Sequence, residues 1–330
     1  MATILDVAKR AGLSKTTVSR VINNQAYVSE EKRALVLQAM KELDYHPNPA
    51  ARRLRGQQTM TIGVLVSAIV HPLFACLVDA IERTAYENGY KVMICQSQGN
   101  KEKELLFLNL LKTKQVDGII ITSLENDWKN IEPFVTHGPI VLCNEYINES
   151  SVPVIKLDQF NGTYLGIQHL IKRGHRKIGY CTGGLFAEYG KDKDRNQGYQ
   201  KAMAEAGVSI NPAWIFVDRH TSEDGKKLLA HMLDMDDRPT AIFTGSDEIA
   251  AGMLVQAREQ GVRIPEDLAV MGFDDQPIAE WTSPPLTTVR QPAEEMGQKS
   301  TQMIIDALHQ NAAGMEQLEL PIEIIIRQST

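Results

Sequence analysis

Long apolar runs are missing from this chain of 330 residues. None approaches the roughly 20 residues that a membrane-crossing helix needs. The first residues, Met1-Ala2-Thr3-Ile4-Leu5-Asp6, lack the basic-then-apolar pattern of an export signal, so a cytoplasmic location is expected. Cysteine is scarce. Cys76, Cys95, Cys143 and Cys181 lie far apart, form no C-x-x-C pair, and three of them fall in apolar strand-like runs. Buried thiols are expected, rather than disulfides or metal ligands. Nucleotide loops are also missing. Ile62-Gly63-Val64-Leu65-Val66-Ser67 continues without a G-x-G-x-x-G, no Walker sequence occurs, and Thr182-Gly183-Gly184-Leu185 is a lone glycine pair. No Ser-His-Asp set or metal cluster has an interpretable spacing. The chain reads as a non-enzyme, with no catalytic residue, metal or cofactor expected.

What is present is an uneven charge distribution. The formal net charge is −6, yet residues 1–58 hold ten Lys and Arg against five Asp and Glu, while residues 59–330 hold 25 against 36. A basic head on an acidic body is the footprint of a DNA reader joined to a different module.

The head reads as helices. Leu5, Ala8 and Ala11 mark a short helix that Gly12 ends. Ser14 is placed to cap a second helix running to about Asn23. Two helices joined by a short glycine-containing turn suggest helix-turn-helix. At about 100° per residue, Val18, Val21 and Ile22 fall on one side of the second helix with Thr17 at the edge. Lys15, Thr16, Ser19 and Arg20 fall on the other, where they suit base edges and phosphates. After the loop containing Tyr27, Ser29 is the expected N-cap of a third helix with Leu35, Val36, Ala39, Met40 and Leu43 as core. Pro47 and Pro49 stop it. Residues 50–56 then carry Arg52, Arg53 and Arg55 around Leu54. The segment is too short to be stable alone. It reads either as a linker or as a helix that orders on DNA and pushes a leucine between base steps of the minor groove.

The run from Ile4 through Asn23, followed by Val28-Ser29, Leu43-Asp44-Tyr45-His46-Pro47-Asn48 and Ala51-Arg52-Arg53-Leu54, resembles the N-terminal signature of the lactose-repressor (LacI/GalR) family. The resemblance extends to the C-terminus. Pro239-Thr240-Ala241-Ile242-Phe243 and Arg327-Gln328-Ser329-Thr330 are similar to Gram-positive catabolite-control members. The resemblance implies a homodimer on a palindromic operator. In it Lys15, Thr16 and Arg20 would read bases, supported by Thr17, Ser19, Asn23 and Tyr27. Asn48, Ala51, Arg52 and Leu54 would form the hinge helix, with Leu54 as the wedge.

Beyond residue 59, strand-like runs at Thr61–Val66, Lys91–Cys95, Gly118–Thr122, Ile140–Cys143, Ile178–Cys181, Ala241–Thr244 and Ala269–Phe273 alternate with helical stretches such as Leu77–Asn88 and Gly162–Arg173. That alternation means parallel sheets with helices on both faces. The expected organisation is a small all-α helix-turn-helix head over 1–47, a hinge helix and linker over 48–58, and a two-lobed α/β core over 59–330 with the fold of periplasmic sugar-binding proteins. The N-lobe takes about 59–159 and 291–320, and the C-lobe about 160–290 and 321–330.

Ligands of such sheets sit beyond the strand C-terminal ends. The candidates there are Ser67, His71, Leu73, Phe74, Asn144, Ser246 and Asp274, with Glu145 beside Asn144. Arg195, in Asp194-Arg195-Asn196-Gln197-Gly198, resembles the family's ligand-clamping arginine, and Asp274 resembles its sugar-hydroxyl acceptor. Many relatives carry Pro-Asp where this chain has Ser67-Ala68, Asn at His71, and Asn or Thr at Ser246, which leaves the effector's identity open. The expected function is a DNA-binding repressor of carbohydrate-use genes, switched by a sugar or sugar phosphate. A regulator acting with a phosphorylated protein corepressor, and a solute-binding α/β protein that does not bind DNA, are the alternatives.

Overall fold

The computed structural model describes residues 2–22, 27–46, 58–147, 150–183, 190–309 and 317–330. It separates into two compact units, Met1–Thr59 and Met60–Thr330.

The first unit holds α1 (Ile4–Ala11), α2 (Lys15–Ile22) and α3 (Glu30–Glu42). Thr3 opens α1 with a capping box, its hydroxyl accepting from the Asp6 N–H and the Asp6 carboxylate accepting from the Thr3 N–H. Gly12 closes α1 in the left-handed region at φ +66. Space around Gly12 is open, so a side chain there would cost backbone strain and not a clash. Gly12→Ala is expected to destabilise the head by about 1–2 kcal/mol. Faster amide exchange across α1 and α2 in the full-length chain would register it. Ser14 caps α2, its hydroxyl accepting from the Thr17 N–H at 3.1 Å. Val7, Ala8, Val18, Val21, Val36 and Ala39 form the buried centre. Arg10 pairs with Glu42 across α1 and α3.

Two expectations for the head, and one for the thiols, need correction. Ser29 stands at the N-cap of α3, but its hydroxyl makes no capping bond. The glutamates at 30 and 31 supply the favourable charge at that end instead. Leu35 is 43% exposed, whereas Val36 and Ala39 are buried and Met40 and Leu43 pack against them. Cys76, in the second unit, is exposed, whereas Cys95, Cys143 and Cys181 are buried free thiols.

Among the described residues the second unit contains three sheets. The six-stranded parallel sheet comprises β1 (Thr61–Val66), β2 (Lys91–Gln96), β3 (Gly118–Ile121), β4 (Ile140–Cys143), β5 (Val154–Leu157) and β11 (Gln317–Leu320), in the order β11-β5-β4-β3-β1-β2. The four-stranded parallel sheet comprises β6 (Ile178–Thr182), β7 (Ile215–Val217), β8 (Ala241–Phe243) and β9 (Ala269–Met271), in the order β7-β6-β8-β9. β10 (Thr288–Arg290) and β12 (Glu323–Ile325) form an antiparallel pair. Both parallel sheets are covered on their faces, which is why β3, β4, β8 and β9 read as unbroken apolar runs.

Around the six-stranded sheet lie α4 (Pro72–Glu87), α5 (Lys101–Lys112), α6 (Trp128–Ile131) and α12 (Ala293–Leu308). Around the four-stranded sheet lie α7 (Gln159–Lys172), α8 (Gly190–Glu205), α9 (Ser222–Leu233), α10 (Asp247–Glu259) and α11 (Ile278–Trp281). Two apolar clusters flank each parallel sheet, one per face. The result is two α/β lobes, with the chain crossing between them after β5, after β10 and after β11. Five strands, β5, β7, β10, β11 and β12, lie beyond those expected from the sequence. Among the described residues no helix is long and apolar enough to cross a membrane.

Candidate functional site

The C-terminal ends of the strands of both lobes open onto one cavity of about 710 Å³. Ser67 follows β1, Ser123 follows β3, Asn144 and Glu145 follow β4, Gly183 follows β6, Ser246 follows β8 and Asp274 follows β9, and all of them line it. His71, Leu73 and Phe74 reach it from the start of α4, and Arg195 from α8. All eight effector candidates named from the sequence therefore lie on one cavity wall or another.

Their geometry is held tightly. Arg195 Nε donates to Gln159 Oε1 at 2.7 Å and Nη1 to the Gly245 carbonyl at 3.1 Å, with its guanidinium 3.8 Å from the centre of the Phe273 ring. Asp274 is buried and accepts from Gln276 Nε2 at 2.9 Å and from Gln291 Nε2. Asn144 and Asp274 both sit at positive φ, +71 and +110, a strained backbone of the kind that collects at binding sites. His71 occupies the N-cap of α4 without capping it, and its ring lies 5.3 Å from that of Phe74. Ser246 caps α10, its hydroxyl accepting from the Ile249 N–H at 3.4 Å. Among the described residues, His71 Nδ1, Ser123 Oγ, Asn144 Oδ1 and Gln291 Oε1 are buried without a hydrogen-bond partner. Buried polar atoms left so are costly in a native fold, and here four belong to residues around one cavity.

The electrostatics follow from burial. Burial lowers the His71 pKa and keeps its ring neutral near pH 7. It pushes Asp274 up to about 6, against the lowering effect of Arg195 and of the two glutamine bonds. Asp247, buried beside it, is likewise raised, by burial and by the Asp274 charge, although it accepts from the Gln276 N–H at 2.7 Å and from Thr288 Oγ1 at 2.5 Å. The folded chain holds the Asp274 proton up to about pH 6, whereas the unfolded chain releases it near 4. The contribution of Asp274 to stability therefore falls as pH rises between these values and is constant above them. The penalty at pH 7 is on the order of 3 kcal/mol. Asp274→Asn is expected to raise the melting temperature at pH 7 and to lose that advantage near pH 4. Melting curves at pH 4, 5 and 7 check both halves.

Lys191, Gln291 and the run Ser123–Asp127 line the cavity without having been singled out in the sequence. The run follows β3, so the strand-end rule alone could have found it. Glu104 on α5 holds it, its carboxylate accepting from the N–H groups of Glu125 at 3.0 Å and Asn126 at 2.8 Å.

In the head, Lys15, Thr16 and Arg20 form the exposed face of α2, opposite the buried Val18 and Val21. Thr17 and Ser19 are half-buried, and the Thr17 hydroxyl is paired with that of Ser14 at 2.9 Å. Tyr27 is almost fully exposed. Asn23, Asn48, Ala51, Arg52 and Leu54 lie outside the described residues. Among the described residues no His, Cys, Asp or Glu group could hold a metal ion.

A helix-turn-helix head and a two-lobed core with a ligand-sized cleft define a DNA-binding transcription regulator. Two family models match the chain: "Bacterial regulatory proteins, lacI family" over residues 3–48, and "Periplasmic binding protein-like domain" over residues 167–330. The NTD biosynthesis operon regulator NtdR of Bacillus subtilis (strain 168) is 44% identical, with 100% of each chain covered. The solved Lac repressor dimer bound to operator and the anti-inducer ONPF is 28% identical, at a TM-score of 0.86, covering 100% of this chain and 99% of that one. The complex of the transcriptional regulator CelR with cellobiose is 28% identical, at a TM-score of 0.74, with 100% of each chain covered. The chain belongs to the LacI family of transcription regulators, a family of DNA-binding proteins and not of enzymes.

Proposed function

We propose that the chain is a homodimeric repressor of carbohydrate-use genes whose grip on its operator is set by a sugar-like effector in the interlobe cleft. One observation carries this reading: oriented polar side chains and partnerless buried polar atoms gather at the strand ends of both lobes, around about 710 Å³. That volume suits a small molecule. A polyol answers the chemistry. Its hydroxyls donate to Asp274 and Asn144 and accept from Arg195, while an apolar ring face meets Phe74. Ser67, His71, Leu73 and Ser246 complete the walls.

In a dimer two copies of α2 enter successive major grooves, with Lys15, Thr16 and Arg20 at base edges. The segment 48–58 of each copy pairs at the operator centre, with Leu54 as its wedge. The relatives that carry cellobiose, or operator and anti-inducer, support this reading by analogy. The effector acts only to the extent that it favours one arrangement of the lobes over another.

A thermal-shift panel of sugars and sugar phosphates tests the reading, followed by gel shifts of genomic fragments with and without the hit. A sugar that raises the melting temperature and changes a specific retardation supports it. Retardation that ignores every sugar but depends on a phosphorylated carrier protein would move the signal to a protein corepressor, as the likeness to catabolite-control members allows.

A further inference from the structure

Two polar bridges cross from one lobe to the other beside the cavity. Glu145 and Tyr146 follow β4 in the six-stranded sheet, and Lys191 and Asp194 stand near the start of α8, which packs with α7 against the four-stranded sheet. Lys191 Nζ donates to Glu145 Oε1 at 2.5 Å, and Tyr146 Oη donates to Asp194 Oδ2 at 2.5 Å. Adjacent residues on one side thus meet residues three apart on the other, which share one face of the helix. The four groups form two neighbouring rungs.

The rungs are sheltered. The side chains of Lys191 and Glu145 retain 24% and 15% of their exposure, and Tyr146 is buried. The Tyr146 ring is backed from its own lobe by Lys156, whose Nζ lies 5.5 Å from the ring centre. Glu145, Tyr146 and Lys191 line the cavity itself.

We propose that Glu145–Lys191 and Tyr146–Asp194 together form an interlobe latch, so that these four positioning residues set the separation of the cavity walls. The bonds are made by protein atoms alone, so the latch needs no effector in order to form. Opening the cleft must rehydrate a sheltered ion pair and a phenol–carboxylate bond together. Removing one member of the pair strands the other charge in a poorly hydrated place, which costs more than losing the bond. Asp192 and Arg195 flank Lys191, and Asp192 and Arg195 also face Glu145, so the pair sits in a field of further fixed charges. The consequence for signalling rests on the effector reading above: a ligand that fits the latched cleft favours closure, and one that must displace Lys191 or Glu145 opposes it.

The test uses the full-length chain without sugar or DNA, so its failure and that of the effector reading are distinguishable. Small-angle X-ray scattering compares the wild type with E145Q/Y146F. The latch predicts a larger radius of gyration for the variant, with unchanged circular dichroism and a cooperative melt. An unchanged radius in the folded variant overturns it. Melting of K191M, E145Q and E145Q/K191M tests the pair: K191M alone should lose more than the double variant, and additive losses would count against coupling. Should E145Q/Y146F not fold, Y146F alone removes a single hydroxyl. Amide exchange should then accelerate about tenfold over both 144–147 and 190–195. Acceleration on the tyrosine side alone overturns the proposal.

Discussion

Arg195→Ala is expected to remove the response to effector while leaving operator binding in place. Arg195 is the only side chain on the cavity wall, among those described, that is fixed by a side-chain acceptor, a backbone carbonyl and an aromatic face at once. A guanidinium held this way has lost most of its freedom before a ligand arrives, so a hydroxyl that bonds to it pays little ordering entropy. A hydrogen bond to a charged group contributes about 1.5–3 kcal/mol. The variant should therefore bind the sugar found in the melting screen roughly 10- to 150-fold more weakly, since each 1.36 kcal/mol is tenfold. Loss of the guanidinium also removes a charge that lowers the Asp274 pKa, so the remaining affinity should decline further between pH 7 and pH 5 as that carboxyl gains its proton. Calorimetric titration of the sugar at both pH values, beside gel shifts at fixed salt, separates the two effects. A normal response in the variant would take Arg195 out of the binding role.

The second large effect lies in the head. Arg20 sits on the face of α2 opposite Val18 and Val21, so its truncation leaves the centre of the head untouched. One bidentate arginine–guanine pair contributes about 1–3 kcal/mol of discrimination. In the proposed dimer the contact would be made twice, so Arg20→Ala should cost roughly 2–6 kcal/mol on the operator. On random DNA, where the residue meets phosphate at most, the loss should be much smaller. Affinities measured on operator and on scrambled duplex at one salt concentration decide the matter. Equal loss on both would assign Arg20 to the backbone, not to a base.

Legibility in the sequence followed the amount of local chemistry each element carries. The ends of α1 and α2 were readable because Gly12 and Ser14 each perform a task that few residues can. α3 was readable in extent but not in facing. Leu35 and Val36 are consecutive, and periodicity alone does not say which of them the other helices cover. Strands covered on both faces announce themselves as apolar runs, as at Gly118–Ile121. Three-residue strands such as Ile215–Val217 and Glu323–Ile325 are too short to show a period, and Gln317–Leu320 is half polar at a sheet edge. In the cleft, the positions after β1, β4, β8 and β9 could be read from the strand-end rule. Lys191 could not, because what gives it a place is a carboxylate from the other lobe, 46 residues away in sequence. Gln291 was hidden in the same way, since the strand before it, β10, was not visible.

The placement of the cleft at strand termini has a consequence for how such a regulator can change. Ser67, Asn144, Ser246 and Asp274 hang from the last residues of strands whose own side chains fill the apolar clusters. On the proposed reading, exchanging those four would alter what the molecule senses while the apolar clusters beneath keep their packing, although Ser246 and Asp274 also carry a helix cap and a buried hydrogen-bond set. The proposed recognition surface on α2 belongs to a separate compact unit with its own buried centre. Input and address can thus drift independently, and a new metabolite can be wired to an old promoter by a handful of loop substitutions.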